Sequence, residues 1–196
     1  ASRAEARASP PRRSPSSSVP GSHRVFFALW PDAGVARQFE ETGGQAQQTL
    51  DGRRMRLETL HLTLAFVGGV APERLKALAD IAAAIRLPRF MLRFNRLECV
   101  RRKGIAWAAA EAPQELRNLV SALQAGLKAT DFRTEERPFA AHVTLLRNAK
   151  CEAGACGAGL NVEWPVRDFV LAESELDPSG AAYRIVARWP LTDPQT

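Results

Sequence analysis

The chain has 196 residues, 45% of them hydrophobic and 24% charged, enough apolar content for the core of one domain or two small fused lobes and too much for a wholly disordered chain. Its formal net charge is +6, yet Arg3, Arg7, Arg12, Arg13 and Arg24 stand against Glu5 alone in residues 1–24. The remainder is close to neutral, so a polyanionic partner has to be met by a local arginine cluster rather than by a global field.

Residues 1–22 are Ala, Ser, Pro and Arg almost throughout, with Val19 as their one large apolar side chain. Such a stretch cannot bury enough surface to offset its ordering entropy and reads as a disordered basic tail, a dispensable extension rather than a transit peptide, because it lacks an apolar helical face. The ordered domain is expected over residues 23–196. It begins with a buried strand over residues 24–30, closed by Pro31-Asp32, with a helix that carries the proline in its first turn and ends near Gly43-Gly44 or soon after. Asp51-Gly52 marks a turn. A short strand follows from Arg53, and then a strand over residues 60–66 stopped by Gly68-Gly69.

Pro72-Glu73 opens a helix to about Arg86, and strands are expected over 90–100 and 105–110, joined by the basic turn Arg101-Arg102-Lys103-Gly104. Pro113 starts an amphipathic helix with Leu116, Leu119, Val120, Leu123 and Leu127 on one side. A strand over 139–146, a loose connection over 154–159 and a closing pair of strands over 166–176 and 183–189 complete the chain. The two halves share the order strand, helix and strand with His-x-Thr, a weak internal duplication. The fold class is therefore α+β: two pseudo-symmetric lobes, each an antiparallel sheet covered by helices, with a central cleft.

Cys99, Cys151 and Cys156 form an odd set in a domain of ordinary size, which argues against a disulfide framework and for a reducing, cytoplasmic setting. Cys151 and Cys156 read as loop or core thiols, since neither a histidine nor a second close cysteine pair completes a metal site around them. No apolar run approaches the ~18 residues of a membrane span, and the expectation is a soluble monomer without a membrane partner.

Two of the three histidines sit in near-identical contexts, Leu60-His61-Leu62-Thr63-Leu64 and Ala141-His142-Val143-Thr144-Leu145. Because side chains alternate along a strand, His61 and Thr63 share one face while Leu62 and Leu64 anchor the other, and His142 and Thr144 do the same against Val143 and Leu145. Phosphodiester opening needs a base to deprotonate the attacking water and an acid to protonate the departing ribose oxygen, and imidazole suits both. Threonine hydroxyls and a guanidinium, for which Arg147 is the natural candidate, would stabilise the charge that gathers on phosphorus oxygens. No metal or other cofactor is required. His23 borders the tail and reads as structural, Arg101, Arg102 and Lys103 as a solvated loop tip, and the four tryptophans as core or cleft wall.

With these motifs the sequence resembles the bacterial 2′-5′ RNA ligase, or RNA 2′,3′-cyclic phosphodiesterase, branch of the two-histidine phosphoesterases. The resemblance spans about residues 24–190 and rests on Arg24-Val-Phe-Phe-Ala-Leu-Trp-Pro-Asp32, Leu60-His-Leu-Thr-Leu-Ala-Phe-Val-Gly68 and Arg137-Pro-Phe-Ala-Ala-His-Val-Thr-Leu-Leu-Arg147. It implies a bilobal, pseudo-twofold fold that hydrolyses RNA 2′,3′-cyclic phosphate ends to 2′-phosphates, with reverse 2′-5′ ligation as a second reaction. His61 would protonate the leaving 3′ oxygen and His142 would activate water, or the two would exchange roles. Thr63 and Thr144 would bind phosphoryl oxygens and Arg147 the phosphate or the adjacent RNA backbone. The sequence departs from the family pattern at Ala141, where proline is frequent, at Ala65, where a basic residue is frequent, and at Thr59, where asparagine is common. The competing readings are an esterase for a small cyclic nucleotide or ADP-ribose cyclic phosphate, and a non-catalytic RNA-end-binding module.

Overall fold

The computed structural model describes residues 23–134, 138–151, 158–177 and 180–193. The chain runs β1 (His23–Leu29), α1 (Ala33–Leu50), β2 (Arg53–Arg54), β3 (Leu62–Val70), α2 (Leu75–Ala83), β4 (Phe90–Val100) and β5 (Ile105–Ala110). It continues with α3 (Gln114–Ala129), β6 (His142–Arg147), β7 (Ala158–Val166), β8 (Asp168–Asp177) and β9 (Gly180–Pro190). The strands form a four-stranded sheet of order β3-β1-β8-β9 and a five-stranded sheet of order β2-β6-β5-β4-β7. Every pairing between these strands is antiparallel, and the expected α+β architecture of two sheets is present.

Alternation decides which side of each strand faces the core. In β1, Val25, Phe27 and Leu29 enter the main core while Phe26 and Ala28 join Val170 and Ala172 of β8 in a smaller cluster on the other face. Leu116, Leu119, Val120, Leu123 and Leu127 are all buried along α3, as their helical spacing predicts. The lobes interleave along the chain. Helix α1, which follows a strand of the first sheet, packs on β6 and β7 of the second, whereas α3 lies against β3 and α2, and α2 touches β9.

Several boundaries differ from expectation. Asp32 caps α1, its carboxylate accepting the N–H groups of Gly34 and Val35 at 2.9 Å each, so Pro31 precedes the cap rather than entering the first turn. The helix runs through Gly43-Gly44 to Leu50, and Gly43 is where it closes on Leu145 of β6. Strand β3 continues through Gly68-Gly69 to Val70, paired all the way with β1. The helix expected over 72–86 resolves into a 3-10 turn over Pro72–Arg74 and α2, and the strand expected from residue 139 begins at His142.

Strand β7 takes up part of the expected connection. Leu160, Val162, Trp164 and Val166 alternate inward along it, and Pro165 is tolerated because β7 is an edge strand. The remaining connection, residues 154–157, the proposed tail over 1–22, Arg137 and Cys156 lie outside the described residues. No helix among the described residues is long and apolar enough to cross a membrane.

The cysteines correct the sequence reading. Cys99, at the end of β4, is disulfide-bonded to Cys151, with Cα atoms 5.6 Å apart. Sheet order β6-β5-β4 brings the chain leaving β6 back beside β4, a proximity across 52 residues that spacing in the sequence does not display. Cys151 is thus neither a free loop thiol nor a free core thiol.

Candidate active site

Strand β3 lies at the edge of the first sheet, and β6 lies beside the two-residue strand β2 of the second. The two strands touch, and between them opens a cleft of about 370 Å³ whose walls include His61, Thr63, His142, Thr144 and Arg147. The structure therefore brings together all five residues singled out in the sequence. The apolar partners Leu62, Leu64, Val143 and Leu145 are buried behind them. His61 itself stands one residue before β3, while His142 is the first residue of β6.

Arg147 shares the cleft face with Thr144 despite lying three residues further on. The β5–β6 register slips between Ala106 and Trp107, leaving Thr144 opposite Trp107 and Arg147 opposite Ile105. Such a bulge shifts alternation by one and re-aims a side chain. The same device operates in β3, where Thr63 faces Ala28 and Phe66 faces Phe26 across slipped registers.

Each imidazole is held by the carbonyl two residues before it. His61 Nδ1 lies 2.7 Å from the Thr59 oxygen and His142 Nδ1 lies 2.8 Å from the Ala140 oxygen. A carbonyl only accepts, so both Nδ1 atoms carry the hydrogen and Nε2 is the acceptor nitrogen of each neutral ring. Thr59 is 3% exposed, and its N–H and hydroxyl both bond the Arg56 carbonyl at the end of a 3-10 turn, which fixes the carbonyl that orients His61.

The two rings have different surroundings. Trp30 stacks on His61 at 5.2 Å and 8°, Phe26 lies 5.0 Å away and Tyr183 meets its edge at 5.0 Å. Burial in this aromatic box pushes the His61 pKa down to about 4, helped by the nearby His142 and the Arg147 guanidinium and opposed by the Thr59 hydrogen bond. His142 has one aromatic neighbour, Trp107 at 4.5 Å, whose indole N–H is tied to Glu98 at 3.1 Å.

Other cleft residues escaped sequence reasoning. Tyr183 of β9 and Ser174, its partner on β8, line the cleft, as do Phe26, Phe66 and Arg24. Lys103, read as a solvated loop tip, also reaches it, from a turn over Arg101–Lys103 that ends on Gly104 in the left-handed region at φ 58°. Trp107 is cleft wall, as expected, and lies against His142; Trp30 stacks on His61 without itself lining the cleft, and Trp164 is buried core. His23 pairs with Glu173, in keeping with a structural role. Among the cleft-lining residues none is Asp, Glu or Cys, and among the described residues no group of three such residues or histidines gathers as a metal site.

Comparison with known proteins matches residues 29–176 to the model of the 2′-5′ RNA ligase superfamily. The chain is 31% identical over 170 residues to the RNA 2′,3′-cyclic phosphodiesterase of Escherichia coli, covering 86% of this chain and 97% of that protein. It is 28% identical over 180 residues to the RNA 2′,3′-cyclic phosphodiesterase of Thermus thermophilus, covering 86% of this chain and 90% of the relative. The crystal structure of E. coli LigT complexed with 3′-AMP superposes with a TM-score of 0.80 at 32% identity, over 88% of this chain and 99% of LigT.

Proposed function

The chain belongs to the 2′-5′ RNA ligase superfamily, and on that premise we propose that it is an RNA 2′,3′-cyclic phosphodiesterase whose residues 23–196 form the catalytic domain. The observation that carries this reading is the pair of imidazoles anchored alike through Nδ1 on opposite walls of one cleft, each with a threonine two residues on.

Water attacks phosphorus of the cyclic phosphate while His142 Nε2 takes its proton. The bond from phosphorus to O3′ breaks, His61 Nε2–H delivers a proton to that oxygen, and the product is a 2′-phosphate. His61 holds little charge in the free enzyme, because burial disfavours its protonated form. The substrate's phosphate anion and the faces of Trp30 and Phe26 favour the imidazolium and so arm the acid on binding. Thr63, Thr144 and Arg147 meet the non-bridging oxygens, whose charge rises at the five-coordinate stage. The donor set of the cleft, two imidazoles with hydroxyls and guanidinium groups, suits direct proton transfer and supports a metal-independent reaction. With a 5′-hydroxyl in place of water, the same acid and base join a cyclic end into a 2′-5′ linkage. The protein acts as a monomer on this reading, and the Cys99–Cys151 disulfide withdraws the cysteine argument for a reducing cytoplasm.

Incubation with an oligonucleotide bearing a 2′,3′-cyclic phosphate, followed by identification of the product isomer, tests the proposal. A 2′-phosphate formed equally with and without EDTA is expected. A 3′-phosphate, or a rate abolished by EDTA and restored by a divalent metal, contradicts it.

A further inference from the structure

Past His142 the catalytic cleft opens into a second cavity of about 430 Å³. Thr63, Phe66, Lys103, Trp107 and His142 line both spaces. The far wall of the second is made by Gln124 and Leu127 of α3 and by Phe139, close to where the chain enters β6. Each cavity falls in the range that holds a small ligand by itself, so the pair exceeds what one cyclic mononucleotide fills.

The chemistry at the junction says what continues into it. Arg24 and Arg147 line the first cavity alone, whereas Lys103 lines both. A cyclic phosphate is a monoanion that the histidine pair and Arg147 already meet, and a further cation set between two chambers fits a second, successive phosphate. Phe66 is 39% exposed and Phe139 half-buried. They offer flat apolar surface to any base, and the Gln124 amide both donates and accepts. We propose that the second cavity seats the penultimate nucleotide of an RNA end, with the phosphodiester that joins it to the cyclic-phosphate nucleotide held at Lys103. This rests on the cyclic-phosphate reading above and makes the preferred substrate an oligonucleotide rather than a free cyclic mononucleotide.

The test compares kcat/KM for a nucleoside 2′,3′-cyclic phosphate and for a dinucleotide with the same cyclic end. The dinucleotide is expected to be favoured by on the order of tenfold, the worth of about one stacked base. Its log–log salt slope should also be steeper by about 0.7, the contribution of one additional phosphate contact on a single strand. Gln124→Trp, which fills the second cavity from its α3 wall, should bring the substrate ratio toward one, and Lys103→Ala should remove the difference in salt slope. Equal efficiency and equal slope in the unmodified protein overturn the inference while leaving the cyclic phosphodiesterase intact. Turnover of neither substrate overturns the activity itself.

Discussion

Phe66 and Arg147 occupy equivalent places in the two halves of the cleft. Each lies five residues after its histidine, and each is turned onto the cleft face by a slipped register beyond its threonine. The near-symmetric backbone therefore presents an aromatic ring from one lobe and a guanidinium from the other, which on the proposed mechanism would give the two histidines an asymmetric grip on substrate.

Arg147→Ala is expected to lower kcat/KM for a cyclic-ended RNA by about 10- to 100-fold, in line with the ~1.5–3 kcal/mol of a charge-assisted hydrogen bond. Arg147→Lys should recover part of that loss, since it restores charge without the planar fork. Steady-state kinetics on both variants decide the point, and an unchanged Arg147→Ala enzyme would place the phosphate elsewhere.

His61→Ala and His142→Ala should each reduce turnover by at least about two orders of magnitude with the fold retained, as expected for loss of acid–base assistance. In the unmodified enzyme the acid limb of kcat/KM should fall near pH 4, where His61 titrates, rather than near the 6.5 of a free imidazole. This holds whichever ring is the acid, because kcat/KM reports ionisations of the free enzyme. A profile whose acid limb lies near 6.5 would show that the aromatic box does not desolvate His61.

The same depressed pKa bears on stability. Between pH 6.5 and about 4 the unfolded chain takes up a proton at His61 that the folded chain does not, so stability falls as pH drops through that window. The full shift is worth about 3 kcal/mol. Urea unfolding at pH 7 and pH 4.5 should show a smaller pH-dependent loss for His61→Gln than for the unmodified protein. Equal losses would contradict the linkage.

Much of this site was legible because it is written locally. The His-x-Thr pairs name the face, the threonine and the buried partners from strand periodicity alone, and the helix repeat from Leu116 to Leu127 names its own core. Residues placed by pairing were illegible. Tyr183 reaches His61 only because β9 closes on β8, and Lys103 reaches the cleft from a turn that ends on left-handed Gly104. Strand β3 overran Gly68-Gly69 because pairing with β1 outweighs the weak local preference of glycine for turns. The Cys99–Cys151 bridge depends on sheet order, which no count of cysteines contains.

That bridge closes a loop between residues 52 apart in sequence, and its removal should matter in proportion to the chain entropy it restrains. Cys99→Ser with Cys151→Ser is expected to lower stability by roughly 2–4 kcal/mol. Urea midpoints with and without reductant measure it. A midpoint insensitive to both reductant and substitution would show that the two sulfurs are not joined in solution.

Gly52 connects stability to the site. It holds φ at +90°, and an added Cβ would lie 2.8 Å from the Arg147 carbonyl oxygen and 3.0 Å from the Ala149 backbone. Two penalties therefore add for Gly52→Ala, the left-handed conformation and a collision with rigid backbone, and neither is relieved by a rotamer change. The loss of stability should exceed ~1 kcal/mol. Relief requires the chain at Arg147 to move away, so KM for the cyclic-ended substrate should rise as well. Thermal melting and kinetics on the single variant read both effects. An enzyme that melts earlier with KM untouched would mean that strain at the β2–β6 edge is absorbed by Asp51-Gly52 and never reaches the guanidinium.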